Sequence, residues 1–476
     1  MWFEFVFIII LIILTTLLIV YLSKPKLPTP HTQSGFPRNT GIVPPPREEN
    51  KIVASQETHS NKQDYGNLVP PPFITFPKNT GIVPPPMEPE KLPSPPIPRT
   101  VIGFFPNWGI YSKNYQPHDV PVDILQQISY SFFDVAKNDS GLFVCKTTDA
   151  YSDFDKRYTD SGALSFDSWN DNTGPFGSIG QFTKIKKTKP FTLRLAIGGW
   201  TLSKNFSLAV GDQANRESFS QSIVDLLLKY PVFTAIDIDW EYLSGNGENY
   251  GNVGNIVSTS DPANFVSFLT LLRSKLAKVG LQNTSIGANV NPAPEKIQFD
   301  VKSVCDLLDY VEIMTYDFHD GSWGETFSAH HTNPRPSKFG KYSCEEAAKA
   351  WIEKGVASTK LLIGVAMYSR GFSSTDGLGK PAIGGSTDSS GEAGIVGYKD
   401  LPLNGSTEMW DDEAKASYSY DPVKRVFNSY DTPASVVEKC KIVKELNLAG
   451  IICWDLSTDN PRLDRNLIKV LHDNLL

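Results

Sequence analysis

The sequence lacks the features that mark a nucleotide or nucleic-acid partner: it has no basic tract and no glycine-rich phosphate loop. Positive charge is in deficit as well. Its 45 lysines and arginines face 52 acids, a formal net charge of −7 that makes a neutral or cationic ligand electrostatically easier than an anionic one. Cysteine is scarce. The five, at 145, 305, 344, 440 and 453, show no close metal-ligand spacing, and an odd number excludes complete internal pairing. Cys453 lies in a strand-like apolar run and reads as a small core residue. Sequons at Asn138, Asn205, Asn283 and Asn404 permit glycosylation, a weak signal in a chain rich in Asn, Ser and Thr.

What is present divides the chain into three parts. Phe5 to Leu22 are apolar except for Thr15 and Thr16. Such a run makes about 27 Å of helix, enough to span a bilayer core. The exit Val20-Tyr21-Leu22-Ser23-Lys24-Pro25 has no small-residue cleavage pattern, so residues 1–23 read as an uncleaved transmembrane anchor, with a signal peptide as the alternative. Residues 24–98 hold 19 of the 35 prolines. They carry a near-exact repeat, Phe36-Pro-Arg-Asn-Thr-Gly-Ile-Val-Pro-Pro-Pro46 and Phe76-Pro-Lys-Asn-Thr-Gly-Ile-Val-Pro-Pro-Pro86. Prolines so spaced favour extended polyproline II over a packed core, and the stretch reads as a disordered spacer of at most about 200 Å. A repeated docking motif is the sharper alternative.

From residue 99 the pattern changes to strands alternating with amphipathic helices. Strands are predicted at 101–105, 128–133, 191–198, 235–240, 284–290, 310–317, 361–368 and 450–455, with helices at 217–230, 263–279, 343–355 and 433–446. Eight such units predict a parallel (β/α)8 barrel. An open doubly wound sheet shares the alternation, but no glycine-rich turn supports it.

The fourth predicted strand carries the most unusual pattern, Phe233-Thr-Ala-Ile-Asp-Ile-Asp-Trp-Glu241. Side chains two apart on a strand share a face, so Asp237, Asp239 and Glu241 point one way while Ile236, Ile238 and Trp240 point the other. Stacked acids cannot all ionise, so at least one carboxyl should be raised and suited to general acid catalysis. A solvated edge strand is the bland alternative, and the flanking apolar residues argue against it. The other predicted strand ends carry Trp108, Gly199 and Trp200, Tyr316 and Asp317, Tyr368 and Arg370, and Trp454. A trough lined by tryptophan and tyrosine suits sugar rings, whose apolar faces stack on aromatic planes while acids read the hydroxyls.

Seven stretches carry a family resemblance: FFPNWGIYSKNYQP at 104–117, AIGGWTLSKNF at 196–206, AIDIDWEY at 235–242, MTYDFHDGSW at 314–323, GVAMYSRGF at 364–372, SYSYDPVKRVFNSYDTP at 417–433 and GIICWDLSTDN at 450–460. Over residues 99–476 the chain resembles the family 18 glycoside hydrolases, and within them the chitinases. The resemblance implies a TIM barrel with a small α+β insertion, about 373–430, between the seventh strand and its helix. It implies Glu241 as proton donor, the N-acetyl oxygen of the substrate as nucleophile, and retention of configuration. It further implies that Asp239 orients the acetamide, that Asp237 shares a proton with it, and that Tyr316 donates to the acetamide oxygen. Trp454 would floor the cleavage subsite; Met314, Asp317, Tyr368, Arg370, Gly199, Trp200 and Trp108 would line the cleft. No metal or cofactor is implied. The partners implied are chitin or N-acetylglucosamine oligomers, with a monomeric catalytic domain, a membrane contact through residues 5–22, and no nucleic acid. An enzyme of this kind belongs on the extracellular or lumenal side, or is secreted after signal cleavage. Lys24 and Lys26 after the span favour the opposite orientation.

Three departures stand out. Thr234-Ala235 replace the family's Asp-Gly, Ala196 stands where serine is usual, and Phe104 where tyrosine is frequent. In many relatives those two hydroxyls bond the innermost acid. Their loss leaves Asp237 expected to be short of donors and to keep a proton throughout the cycle. A chitin-binding lectin on an inactive barrel is the main competing reading; such lectins typically lose the acid at position 241, which this chain keeps.

Overall fold

The computed structural model describes residues 98–476 except 160–166, 169, 171–172, 244, 246, 248–253 and 387–393. The apolar run 5–22 and all but the last residue of the proline-rich 24–98 therefore lie outside the described residues. Among the described residues no helix is long and apolar enough to cross a membrane.

All eight predicted strands form. In chain order the strands are β1 Thr100–Pro106, β2 Gln127–Lys137, β3 Phe143–Thr147, β4 Thr192–Gly198, β5 Phe233–Asp239, β6 Ser285–Val290, β7 Tyr310–Ile313, β8 Leu361–Ala366, β9 Tyr368–Phe372, β10 Ile395–Gly397, β11 Thr407–Asp411, β12 Ala416–Asp421, β13 Val426–Ser429 and β14 Gly450–Trp454. The parallel order β1-β14-β8-β7-β6-β5-β4-β2 closes through pairing of β1 with β2, which makes a (β/α)8 TIM barrel. The unpredicted β3 pairs antiparallel with the C-terminal half of β2, from Phe133 to Lys137. The four predicted helices appear as Gln213–Lys229, Asp261–Lys278, Cys344–Glu353 and Pro433–Glu445, differing only at their ends.

The outward residues of the strands bury against these helices. Helix Gln213–Lys229 begins where the Asp212 side chain accepts from Asn215 N at 2.9 Å, and it buries Phe219, Ile223, Val224 and Leu227 at helical spacing. Trp240, leaving β5, stacks on Phe206 at 5.3 Å and meets Phe265 edge-on at 5.6 Å. Burying a large apolar side chain this way stabilises by on the order of 2 kcal/mol or more. The five cysteines are buried and free, Cys453 among them.

The barrel interior is different. It holds Ile102, Phe104, Ala196, Leu362 and Ile452 together with the fully buried Arg194, Asp237 and Glu312. Position 287 must be glycine here, because a Cβ would come within 2.3 Å of Glu312 Oε1, 2.6 Å of Arg194 Nη2 and 2.7 Å of Asp237 Oδ1.

A second sheet of five antiparallel strands runs in the order β10-β9-β13-β12-β11. Its strand β9 begins at Tyr368, separated from the end of β8 by Met367 alone, so β9 carries Tyr368 and Arg370 out of the barrel wall. Among the described residues of 373–430 there is no α-helix; the elements are strands, turns and the 3-10 turn Tyr398–Asp400.

Candidate active site

The three acids of β5 and its extension share one face, as the spacing predicts. Asp237, Asp239 and Glu241 are all buried. Asp237 is level with Ala196 on β4 and Gly287 on β6, and Asp239 is level with Gly198. Gly198 has φ +109°, and a Cβ there would come within 2.2 Å of the Asp239 carbonyl oxygen, so only glycine lets the two strand ends close. Ser203 then fastens the turn: its hydroxyl contacts the carbonyl oxygens of Gly199 (2.9 Å) and Asp239 (3.1 Å) and accepts from Glu241 N (2.8 Å).

Electrostatics separates the acids. Burial, then the charges of Glu241, Glu312 and Asp237, push the Asp239 carboxyl well above the usual carboxylate range. Its Oδ1 is buried without a hydrogen-bond partner among the described residues. Burial raises Glu241 to about 7, a hydrogen bond with Tyr242 works against the rise, and the charge on Asp317 adds to it. Glu241 is therefore protonated in mildly acidic water, as a proton donor must be.

Asp237 departs from expectation. Ala196 and Phe104 do remove two hydroxyls, yet the acid is not short of donors. Arg194 Nε reaches both its oxygens, at 2.7 and 2.8 Å, Nη2 bonds Oδ1 as well, and the Ser129 hydroxyl bonds Oδ2. The donors come from β4 and β2 and replace the missing hydroxyls with a guanidinium fork. The expectation of a donor-poor Asp237 is overturned.

Two strands along the barrel from β5, β7 ends at Ile313, and Tyr316 and Asp317 stand on the loop beyond it rather than on a strand. Burial pushes the Asp317 carboxyl up, but the charge and hydrogen bonds of Arg370, with a bond from His331, hold it well below the usual range. Arg370 grips it with Nε at 2.8 Å and Nη2 at 3.0 Å, and the Tyr368 hydroxyl donates at 2.5 Å. Arg370 also reaches Asp320 at 3.0 Å. Burial and the surrounding acids raise Tyr316 well above an ordinary phenol, so it is a neutral donor.

The aromatics fall into two groups. Trp454 stacks on Phe132 at 5.6 Å and lies 5.6 Å from Phe104 and 6.3 Å from Trp108. Gly199 belongs to this group structurally, since a Cβ on it would come within 2.9 Å of the Phe132 ring. Trp200 instead meets Tyr242 edge-on at 6.4 Å. Trp108 and Trp200 are each 43 % exposed and present free faces; Met314 is buried in the interior cluster beside Tyr316. Sequence reasoning missed Arg194, Glu312, Ser129, Tyr242 and Phe132. Two of them left a trace, because Arg194 and Glu312 are the lone charges inside the apolar runs 191–198 and 310–314.

The model of the glycosyl hydrolases family 18 matches residues 100–459. The chain is 34% identical over 386 residues to "Chitinase 1" of Aphanocladium album, covering 78% of this chain and 84% of that one. It is also 34% identical over 362 residues to "Endochitinase 1" of Metarhizium robertsii, covering 75% and 80%. Among solved structures, chitinase ChiA74 from Bacillus thuringiensis aligns with a TM-score of 0.70 at 26% identity, over 80% of this chain and 70% of that one. The catalytic domain of psychrophilic chitinase B from Arthrobacter TAD20 aligns with the same TM-score and identity, over 79% and 95%.

Proposed function

The chain belongs to the glycosyl hydrolases family 18, and from that premise we propose that it is a chitinase that cleaves β-1,4 bonds between N-acetylglucosamine units with retention. One observation carries the reading: Glu241 is raised to about 7 beside a second acid, Asp239, that burial keeps from ionising, while the ionised Asp317 is engaged by Arg370. Among the described residues the site thus holds a proton donor but no free carboxylate nucleophile. Glu241 protonates the glycosidic oxygen as the C–O bond breaks, and the substrate's own acetamide oxygen forms the new bond to the anomeric carbon. Asp239 turns its unpartnered oxygen to the acetamide N–H, and Tyr316 donates to the acetamide oxygen. Water, giving its proton to Glu241, then opens the oxazolinium ring. Trp454 floors the ring being cleaved, and Trp108 and Trp200 stack sugars further along the cleft. The apolar run 5–22 supports tethering of the full chain to a membrane, with the barrel on the extracellular or lumenal side, and the proline-rich stretch supports a spacer role.

The test is hydrolysis of soluble N-acetylglucosamine oligomers by the full chain across pH, beside Glu241→Gln. Wild-type turnover is expected to fall as pH rises through about 7, where Glu241 loses its proton, and the variant to lose about 10²–10⁴-fold in kcat below that pH and to lack that basic limb. Oligomer binding without turnover by the wild-type chain would replace the enzyme with a lectin.

A further inference from the structure

Among the described residues the barrel interior holds four carboxyls, Asp237, Asp239, Glu241 and Glu312, and a single guanidinium, that of Arg194. Arg194, Asp237 and Glu312 are each 0 % exposed. The fork is fully engaged. Besides Asp237, Nη2 faces Glu312 Oε1 at 3.3 Å and the Ile236 carbonyl at 3.2 Å, Nη1 bonds Gln127 (2.9 Å) and Ser285 (3.2 Å), and the Tyr310 ring lies 5.3 Å from the guanidinium. Gly287 leaves the space in which the three charged heads meet. A buried ion group of this kind adds little net stability over apolar packing of the same volume, so its presence at the foot of the acid ladder asks for another explanation.

The balance of charge supplies one. One cation offsets one carboxylate, and the bidentate bonds place that charge on Asp237 rather than on the acids above. Glu312, which faces Asp237, is driven up by burial and then by the Asp237 charge, against the pull of Arg194, so it is the neutral partner of the group. The charges that act on Asp239 are those of carboxyls.

We propose that Arg194 is a positioning residue for the reaction: it fixes the negative charge on Asp237 and so leaves the mobile proton with Asp239, next to Glu241. Glu312 closes the group as a neutral acid. The proposal rests on the hydrolytic reading above and reverses the expectation that Asp237 is the protonated member.

It is tested on the full chain by kcat and KM for N-acetylglucosamine oligomers against pH, with circular dichroism and Tm for each variant. Without the cation the group of buried acids takes its first negative charge at a higher pH. Arg194→Met is therefore expected to move the acid limb of kcat/KM up by about one unit or more and to lower kcat at least about tenfold, with KM within about threefold. Arg194→Lys, which returns the charge without the fork, is expected to bring the limb back to within about half a unit while kcat stays reduced. If Arg194→Met does not fold, Arg194→Gln combined with Glu312→Gln removes one carboxyl with the cation and serves for the same shift. A folded variant without the cation whose profile superimposes on wild type overturns the proposal, as does loss of the fold in every variant including Arg194→Lys. Absence of turnover by the wild-type chain removes the hydrolytic reading itself, and this proposal with it; wild-type turnover with an unmoved limb removes only the role of Arg194.

Discussion

The two flanks of the cleft place acids in opposite electrostatic settings. On the β5 side, burial and the charges of other acids push both Asp239 and Glu241 up, with no cation among the groups that act on them. On the β7–β9 side, Asp317 is crowded too, but Arg370 grips it and it is driven down. The difference teaches that burial alone does not decide the state of a carboxyl here; the presence of a cation within bonding distance does. The flanks are also coupled, since the charge kept on Asp317 helps to hold the proton on Glu241. A cleft that needs one charged contact for its sugar and one proton for its leaving group obtains both from carboxylates by placing an arginine on one side only.

Asp239→Asn tests the cation-free flank and should have a larger effect than a change at Arg370 or Trp108. It abolishes an acid that contacts the reacting acetamide, and a loss of about 10²-fold in kcat is expected. The basic limb should stay near pH 7, because the rise in Glu241 comes first from its own burial. A basic limb that follows the substitution would mean that the two acids titrate as one unit.

Arg370→Met converts the second flank into the first. With the guanidinium gone, the upward push of burial is countered by the bonds from His331 and Tyr368 without the arginine's charge, and Asp317 takes up a proton at a higher pH than in the wild type. An approximately tenfold fall in kcat/KM is expected at about pH 5, with a smaller one at about pH 7. The stability change has the same sign. A carboxyl held below its unfolded value contributes stability above about pH 4 that is lost as pH falls, so the variant should unfold at a higher pH on acid titration than the wild type does. Parallel pH profiles for variant and wild type would show that Arg370 acts on the sugar directly rather than through Asp317.

The asymmetry between the flanks was only half legible in the sequence. The period of two displayed the acid ladder of β5, and the alternation of strands and helices displayed the barrel, because both patterns are local. Arg370 and Asp317 could be named as cleft residues from their motifs. The pairing that gives Asp317 its charge joins positions 53 apart, and that of Arg194 with Glu312 joins positions 118 apart. No local pattern encodes such pairs; they exist because closure of the barrel lets side chains of β4 and β7 meet in its interior and sets the loop after β7 against β9. The second sheet was hard to resolve into strands for a related reason. Its strand β12, Ala416–Asp421, alternates Ser and Tyr rather than apolar and polar residues, so a hydrophobic period is weak there. Arg194 and Glu312 had a readable signal: a lone charge in a run whose neighbours are all buried needs a partner inside.

The aromatic lining shows the same contrast in a weaker form, and Trp108→Ala tests it. Trp108 is 43 % exposed, and its ring has those of Phe132 and Trp454 as neighbours at 6.2 and 6.3 Å. Trp454 is the more enclosed, held between Phe104, Phe132 and Trp108. A ring that stacks a sugar remote from the bond being cut binds ground state and transition state alike, so its loss should raise KM and leave kcat alone. For Trp108→Ala an increase in KM of about three- to tenfold is expected with long oligomers, in line with about 1 kcal/mol for one stacked ring. Short oligomers that do not reach it should show no change. If kcat falls as well, Trp108 is acting through Trp454, and the exposed ring is part of the support of the cleavage subsite rather than a separate platform for sugar.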